Sequence, residues 1–298
     1  MRQALGGKAE GLGVELVEHN NGLAVHSVMP NSPAEKNGIK PKDIILSVNG
    51  TELKNLDAEE AANLLIADEG EELTLLIRRK KCEDKIYKIK IEVFEENPVL
   101  LNPVVKRERI PQEILYTRID TFANRNVAQY FHDIIKASTD KKGLIIDLRG
   151  NTGGYVDRAA TIGNMFLKNT LIVKTIDRNG VESCINANEH LLTDIPIVIL
   201  VDCESASAIE ILAAAMKENE RALIVGTTTF GKGIVQKIED LPNGAGLNFT
   251  TKKYLTPKNN DIHKKGVEPD YKVHITLLDC ILGKDSQLRF AIKLLSKE

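Results

Sequence analysis

A continuous apolar run followed at once by small residues constrains the fold of this chain more than any other feature. Residues 197–201 read IVILV, residues 202–210 read DCESASAIE, and an alanine-rich run continues to about Glu220. The short apolar run predicts a buried strand and the alanine-rich run predicts a helix, so the chain must turn sharply between them. A serine in such a turn lies at a helix N-terminus, where free backbone N–H groups favour developing negative charge.

A second segment of the same kind supplies a lysine. Residues 222–225 read ALIV and predict another strand, and residues 229–236 read TFGKGIVQ, which places Lys232 between two glycines. A serine and a lysine on neighbouring elements of one sheet can act as nucleophile and general base in amide hydrolysis. The two segments therefore predict a catalytic pair made of Lys232 and a serine of residues 202–210.

These segments resemble the carboxyl-terminal processing peptidases, also called tail-specific proteases. That family carries an SASASE run, whose middle serine attacks the substrate, and an FGKGxVQ run, whose lysine is the base. The match gives the role of nucleophile to Ser207 and that of base to Lys232, which follows 25 residues later at the family's usual spacing. The family's glutamine corresponds to Gln236, and Ile209 stands where the family has a third serine.

The resemblance also implies an oxyanion hole made of backbone N–H groups. Residues 147–154 read DLRGNTGG and resemble the family's DLRxNxGG loop. The two implied donors are the N–H groups of Gly153 in this loop and of Ala208, which follows the nucleophile. We expect Asp147 and Arg149 of the same loop to form a structural corner.

The proposed base has to be neutral to accept a proton from the serine. Burial disfavours the ammonium form of a lysine, and the apolar neighbours Phe230, Ile234 and Val235 predict a dry pocket around Lys232. Gln236, two residues beyond Ile234 in a strand-like alternation, is expected to face Lys232 and to orient it.

The N-terminal part of the chain carries a separate set of signals. Residues 11–14 read GLGV, residues 32–50 read SPAEKNGIKPKDIILSVNG, and residues 73–78 read LTLLIR. These segments resemble a PDZ domain, which would span residues 9–94 and be rich in β structure. The resemblance implies that a glycine loop binds a terminal carboxylate through its backbone N–H groups; the loop residues are Gly11, Leu12, Gly13 and Val14.

A strand and a helix are expected to form the walls of the peptide groove in this domain. A substrate tail would pair with strand Val14–Val17 by strand addition. A helix over residues 58–66, capped by Asp57, would contribute alanine and leucine side chains. This lining predicts a small or apolar last residue in the substrate.

From residue 95 onwards, strand and helix patterns alternate. Residues 95–98 read EENP and predict a hinge, residues 114–119 and 143–148 predict strands, and residues 127–137 predict a helix between them. This order is typical of an α/β sheet covered by helices. The resemblance implies a crotonase-like α/β peptidase core over residues 95–298.

Composition excludes several classes of function. A net charge of −2 gives no electrostatic basis for binding nucleic acid. The cysteines are too widely spaced to indicate a zinc site or a disulfide framework, and no metal or cofactor is implied; they are Cys82, Cys184, Cys203 and Cys280. We expect Cys203 to be a buried structural thiol.

The expected partners are protein or peptide substrates with free C-termini. No run approaches the roughly 18 apolar residues of a membrane span. The resemblance implies an extracytoplasmic location, in the periplasm or on the cell-surface side of a bacterial membrane. Because a signal or anchor segment usually precedes the PDZ domain in the family, membrane contact is expected only through such a segment. Assembly into a homo-oligomer stays open.

Two alternatives to a peptidase are testable against the structure. Residues 226–232 read GTTTFGK and match a phosphate-binding loop up to its lysine, but Gly233 replaces the Ser or Thr that binds magnesium. The residues that follow alternate like a strand, whereas a phosphate loop needs a helix. The second alternative is a non-catalytic peptide-binding or scaffold protein on the same fold, which would need neither Ser207 nor Lys232.

Overall fold

The chain folds into two compact units, Met1–Asn97 and Pro98–Glu298. The computed structural model describes residues 2–4, 8–80, 82–95, 98–101, 108–240 and 246–296. Within these ranges, none of the helices has the length and apolar character that a membrane crossing requires.

The first unit is rich in β structure. Its described elements are β1 Arg2–Ala4, β2 Lys8–Gly11, β3 Val14–His19, β4 Gly22–Val28, α1 Pro33–Lys36, β5 Ile44–Val48, β6 Thr51–Glu52, α2 Ala58–Asn63, β7 Glu72–Arg78, β8 Lys85–Lys90 and β9 Glu92–Glu95. The main sheet has the order β3-β4-β5-β7-β8, β6 pairs with β5, and a small sheet has the order β1-β2-β9. Among the described strands β3 is therefore an edge strand, with one side open to pair with an added strand.

Helix α2 begins where the sequence predicts and ends earlier. The predicted cap is confirmed, because Asp57 Oδ1 accepts a hydrogen bond from Glu60 N at 2.8 Å and Glu60 Oε2 accepts one from Asp57 N at 3.2 Å. The predicted extension to residue 66 is wrong. Beyond Asn63 the backbone bonds span three residues, as in the bond from Leu65 N to Ala62 O, which is the tighter turn that often ends a helix.

Residues 86–93 read IYKIKIEV, an alternation typical of one strand, but they are divided between two sheets. Strand β8 pairs with β7, whereas β9 pairs with β2. The division falls at Ile91, whose N–H donates to Glu71 O at 2.7 Å and whose C=O accepts from Gly70 N at 2.9 Å. Ile91 is fully buried, so the apolar pattern continues across the break and conceals it in the sequence.

The second unit alternates strands and helices, as predicted. Its described elements are β10 Val99–Leu101, β11 Ile114–Ile119, α3 Val127–Ala137, β12 Gly143–Asp147, α4 Val156–Asn164, β13 Leu171–Asp177, β14 Glu182–Asn186, β15 Ile197–Val201, α5 Ala208–Glu218, β16 Ala222–Gly226, β17 Ile234–Asp240, β18 Gly246–Leu255, β19 Tyr271–Lys272, α6 Leu277–Leu282 and α7 Ser286–Ser296. The larger sheet has the order β10-β11-β12-β15-β16-β19, and the smaller has the order β14-β13-β18-β17.

Strands β11, β12, β15, β16 and β19 are parallel to one another, β10 is antiparallel to β11, and both faces of the sheet are covered. On one face Leu144 and Ile146 of β12 join the core that contains α3, α4 and α5. On the other face Ile145 packs in a cluster with Leu288 and Ala291 of α7. A strand buried on both sides reads as a continuous apolar run, which explains the IVILV segment of β15.

Candidate active site

The predicted catalytic residues meet at one edge of the larger sheet. Parallel strands β12, β15 and β16 are adjacent, so the loops that follow them all emerge at their carboxyl ends. These loops carry Gly153, Ser207 and Lys232, respectively. Ser205 Oγ donates to Leu148 O at 2.9 Å and Ala206 N donates to Asn151 O at 3.1 Å, so the first two loops are bonded to each other.

Ser207 has a backbone conformation that few non-glycine residues adopt. It lies at φ 61° and ψ −117°, directly before the first residue of α5. Residues in sparsely populated regions of this kind concentrate at functional sites, where the surrounding structure holds them in place. The sharp turn predicted between the apolar run and the helix is confirmed, and the side chain of Ser207 is half-buried at its apex.

The two implied oxyanion donors differ in whether their N–H groups already form hydrogen bonds. A Cβ atom on Gly153 would lie 2.8 Å from Ser207 Cβ and 2.7 Å from Ala206 O, so only glycine fits there. The N–H of Gly153 donates to Asn151 Oδ1 at 2.9 Å and is engaged within its own loop. The N–H of Ala208 forms no hydrogen bond in the described part of the chain.

Lys232 lies in the loop between β16 and β17, and its side chain is half-buried. Among the described residues, no hydrogen bond joins Lys232 Nζ to Ser207 Oγ or to Gln236, which is exposed on β17. Phe230 is 65% exposed, so it does not supply the apolar wall that the sequence predicts. The prediction of a strand after the lysine is confirmed by β17, which counts against a phosphate-binding loop.

A buried carboxylate joins the serine loop to the lysine loop. Glu210, in the first turn of α5, is fully buried. Its Oε2 accepts hydrogen bonds from Ser207 N at 2.9 Å and from Lys232 N at 2.8 Å. Its Oε1 accepts from Thr229 Oγ1 at 2.6 Å and from Gly231 N at 2.7 Å. Four donors satisfy the buried carboxylate and bind the backbones of Ser207 and Lys232 to one anchor.

A buried phenol bridges the same two loops from the smaller sheet. Tyr254 Oη, on β18, donates toward Ser207 O at 3.2 Å and toward Lys232 O. Burial, followed by the negative charge of Glu210, raises the pKa of Tyr254 above its ordinary value. The phenol therefore keeps its proton and remains a donor to the two carbonyl oxygens.

The predicted structural corner underlies the loop of Gly153. Asp147 is fully buried and pairs with Arg149 at 2.6 Å, and Arg149 also pairs with Asp285 at 2.8 Å. Tyr116 Oη donates to Asp147 Oδ2 at 2.7 Å. Burial alone would raise the pKa of Asp147, but the hydrogen bonds and charge of Arg149 outweigh it and lower that pKa below its ordinary value.

One prediction near the site is wrong. Cys203 is exposed and not a buried structural thiol. It occupies a turn in which Asp202 Oδ1 accepts from both Glu204 N and Ser205 N, each at 3.0 Å. These bonds curl the backbone around the aspartate and leave the Cys203 side chain in solvent.

The first unit has a groove at the position predicted for peptide binding. A cavity of about 210 Å³ lies between the glycine loop with the start of β3 and the end of α2; its lining includes Gly11, Leu12, Gly13, Val14, Leu16, Ala62, Leu65 and Ile66. The N–H groups of Leu12 and Gly13 donate no hydrogen bond within the described residues. Gly13 has φ 78°, and a Cβ there would lie 2.2 Å from Ser32 Cβ.

Comparison with known proteins decides the family. The model of peptidase family S41 matches residues 113–273, more than half of the chain, and the PDZ domain model matches residues 3–78. The chain belongs to peptidase family S41. As a member of S41 it is a serine-type peptidase with a PDZ domain, so the predicted family and enzyme class are confirmed and the non-catalytic alternative is not favoured.

Similar proteins cover most of this chain. A carboxyl-terminal-processing protease of Picosynechococcus is 34% identical over 284 residues, which make up 93% of this chain and 67% of that protein. The carboxy-terminal processing protease CtpA of Bacillus subtilis is 34% identical over 278 residues, or 89% of this chain and 56% of CtpA. The structure of a photosystem II D1 C-terminal processing protease is 28% identical, with a TM-score of 0.55 over 99% of this chain and 78% of its own.

Sequence reasoning missed the residues that hold the site together. Glu210 was visible as the final residue of the serine motif, and Tyr254 as the first residue of a YLTP segment. Asn151 was visible in the DLRGNTGG loop. The available signal was an acidic residue in the first turn of an apolar, alanine-rich helix, with no basic residue beside it. If such a charge is buried, it requires several hydrogen-bond donors.

Proposed function

We propose that this chain is an endopeptidase in which Ser207 is the nucleophile and Lys232 the general base, and that it cleaves near unstructured, apolar C-terminal tails of proteins. The observation that carries the proposal is the shared anchor: one oxygen of Glu210 accepts from the backbone N–H of both residues. A buried carboxylate that binds the backbone of a serine and of a lysine 25 residues apart supports joint chemistry by these two residues.

Amide hydrolysis follows from this arrangement in two stages. Ser207 Oγ attacks the scissile carbonyl carbon while its proton passes to neutral Lys232 Nζ. The ammonium group then gives this proton to the leaving amine, which departs as the acyl-enzyme forms. Water attacks the ester in the second stage with Lys232 again as base, and Ser207 Oγ recovers its proton when the acid product leaves.

The negative oxygen formed in each stage requires N–H donors. Ala208 N–H has no hydrogen-bond partner among the described residues and lies at the N-terminus of α5, where the helix dipole adds to the stabilisation. Gly153 N–H becomes the second donor when it exchanges its bond with Asn151 Oδ1 for one with the oxyanion. Gln236 is proposed to orient the ammonium form of Lys232 after proton transfer.

Tail recognition is assigned to the first unit. The N–H groups of Leu12 and Gly13, which donate to no other described residue, offer an anion site for a terminal carboxylate. The open edge of β3 supplies backbone groups for strand addition, and the apolar cavity takes the last side chain. The printed names of the Picosynechococcus and Bacillus relatives describe carboxyl-terminal processing, which agrees with a site of this kind.

Digestion of an unfolded protein with an apolar tail tests the catalytic assignment, with product masses compared among variants. Ser207→Ala and Lys232→Ala are each expected to abolish cleavage, and Lys168→Ala, which changes an exposed lysine, is expected to retain it. Circular dichroism checks that each variant is folded. Cleavage by folded Ser207→Ala at the rate of the unmodified chain would sink the assignment.

Binding to Ser207→Ala tests the tail assignment without cleavage. A labelled peptide with a free carboxylate and an apolar last residue is expected to bind at least tenfold more tightly than its amidated form, because amidation removes the charge. Equal binding of the two peptides would show that the first unit does not recognise the terminal carboxylate.

An extracytoplasmic location is part of the proposal. It is supported by the bacterial origin of the processing proteases that this chain resembles. External protease added to intact and to lysed spheroplasts is expected to degrade the native protein in both samples. Protection in the intact sample would place it in the cytoplasm.

A further inference from the structure

The groove of the first unit combines an apolar cavity with several acidic residues. The cavity lies beside the glycine loop, and its lining includes Leu12, Leu16 and Leu65 together with the acids Glu10 and Asp68. Beyond the cavity, strand β3 continues to Glu18, and Glu59 lies in the first turn of α2. The two carboxylates therefore flank the part of the groove that lies upstream of a bound C-terminus.

Register and helix periodicity place both acids on the groove side. Leu16 pairs with Val25 and Glu18 pairs with Leu23, and directly opposed residues share one face of a sheet. Because Leu16 lines the cavity, Glu18 lies on the same face of β3. On α2, Glu59 precedes Ala62 by three residues, so it lies on the helix face that Ala62 presents to the cavity.

The charge of these walls is uncompensated. Glu18 and Glu59 are exposed, and neither forms an ion pair with another described residue. Strand β3, helix α2 and the lining of the cavity contain no lysine or arginine. By contrast, Glu92 of the same unit pairs with Lys36 at 2.7 Å.

We propose that the groove selects tails that carry a lysine or arginine two positions before an apolar last residue. Side chains of an added strand alternate between its faces, so the last residue and the residue two positions before it both point into the groove. The last side chain fills the cavity, and the cationic one lies between Glu18 and Glu59. This inference rests on the proposed tail recognition and adds the chemical class of the tail.

Peptide binding to full-length Ser207→Ala tests the inference by fluorescence anisotropy. Three ten-residue probes end in alanine and differ only two positions before it, where they carry lysine, glutamine or glutamate. The lysine probe is expected to bind about fivefold more tightly than the glutamine probe, and the glutamate probe more weakly than both. Raising the salt concentration is expected to reduce these differences.

Charge reversal in the walls sharpens the test. In the Glu18→Lys and Glu59→Lys variants, made on the Ser207→Ala chain, the preference for lysine over glutamate is expected to disappear or invert. The matched control Glu52→Lys makes the same change at an exposed glutamate of β6, outside both walls, and is expected to retain the preference. A preference that persists unchanged in both wall variants would overturn the inference.

The outcomes separate this inference from the function on which it rests. If all three free-acid probes bind equally and their amidated forms do not bind, the tail assignment stands and the selection of a cation is refuted. If no probe binds, or amidated and free-acid probes bind alike, both are refuted. Cleavage of a short peptide by the chain with Ser207 intact reports separately on the catalytic assignment.

Discussion

The loops of the catalytic region and the glycine loop of the PDZ unit both present backbone N–H groups, but they hold them differently. In the catalytic region the N–H groups of Ser207, Gly231 and Lys232 are bound to a fully buried carboxylate. In the glycine loop the N–H groups of Leu12 and Gly13 have no partner among the described residues and border an open cavity.

This difference agrees with the roles proposed for the two regions. Catalysis requires atoms placed within a fraction of an ångström, so buried polar groups with all their hydrogen bonds formed fix the backbone. Recognition of a tail requires unsatisfied donors and an unpaired strand edge that the ligand itself completes. Substitutions in the serine and lysine loops are expected to reduce the rate of cleavage. Substitutions in the glycine loop are expected to reduce the affinity for substrate tails.

The largest expected effect comes from the anchor of the catalytic loops. Glu210→Gln replaces one acceptor oxygen with an NH₂ group that faces N–H donors, and we expect a loss of about 3 kcal/mol in transition-state stabilisation, or more than a hundredfold in kcat. Peptide binding to the groove is expected to be unchanged. Glu204→Gln, an exposed glutamate of the serine loop, is the matched control. Equal activity of both variants would show that the anchor does not position the site.

Low pH is expected to destabilise the second unit through its buried Asp147–Arg149 pair. The pKa of Asp147 is lowered in the folded state, so its ionised form contributes stability above its unfolded value near 4. That contribution is lost as the pH falls below the unfolded value and through the lowered folded value.

Urea denaturation between pH 6 and pH 3 measures this effect. Asp147→Asn is expected to show a smaller dependence of stability on pH than the unmodified chain, with Asp285 still paired to Arg149. The same pH dependence in both proteins would mean that Asp147 does not carry the acid sensitivity.

A smaller effect is expected from the phenol that bridges the two catalytic loops. Tyr254→Phe removes the donor to Ser207 O and Lys232 O and keeps the ring in the core, so we expect about a tenfold decrease in kcat, or 1.4 kcal/mol, with KM little changed. Tyr271→Phe, on a partly exposed tyrosine of β19, is the control. A change confined to KM would assign Tyr254 to substrate binding.

The smallest expected effect comes from a substitution in the glycine loop of the PDZ unit. Gly13→Ala and Gly38→Ala introduce a methyl group at nearly the same positive φ, 78° and 77°, but only at Gly13 does the new Cβ meet other atoms. We expect Gly13→Ala alone to weaken tail binding, by about 1 kcal/mol, while the cleavage of short peptides is retained. Equal affinity of the two variants would separate the glycine loop from the binding site.

Sequence patterns were strong where local chemistry determines structure. Helix α3 occupies its predicted range, and the apolar run before Ser207 is strand β15, because periodicity and turn residues act over a few neighbouring positions. Patterns failed where distant segments meet. The break at Ile91, the exposure of Phe230 and the exposure of Cys203 depend on which partner lies nearby, and apolar content alone does not specify that.

The sequence by itself determined the class of fold, the family and the candidate nucleophile and base, since these depend on residue types at fixed spacing. Only the tertiary structure showed that Glu210 and Tyr254 join the two catalytic loops, and that Asn151 occupies the N–H of Gly153. It also brought Leu16 of β3 and Ala62 of α2 together in the lining of one cavity. The reason is physical: hydrogen bonds and charges act through space, and 22 residues separate Glu210 from Lys232 along the chain but a single bond joins them in the fold.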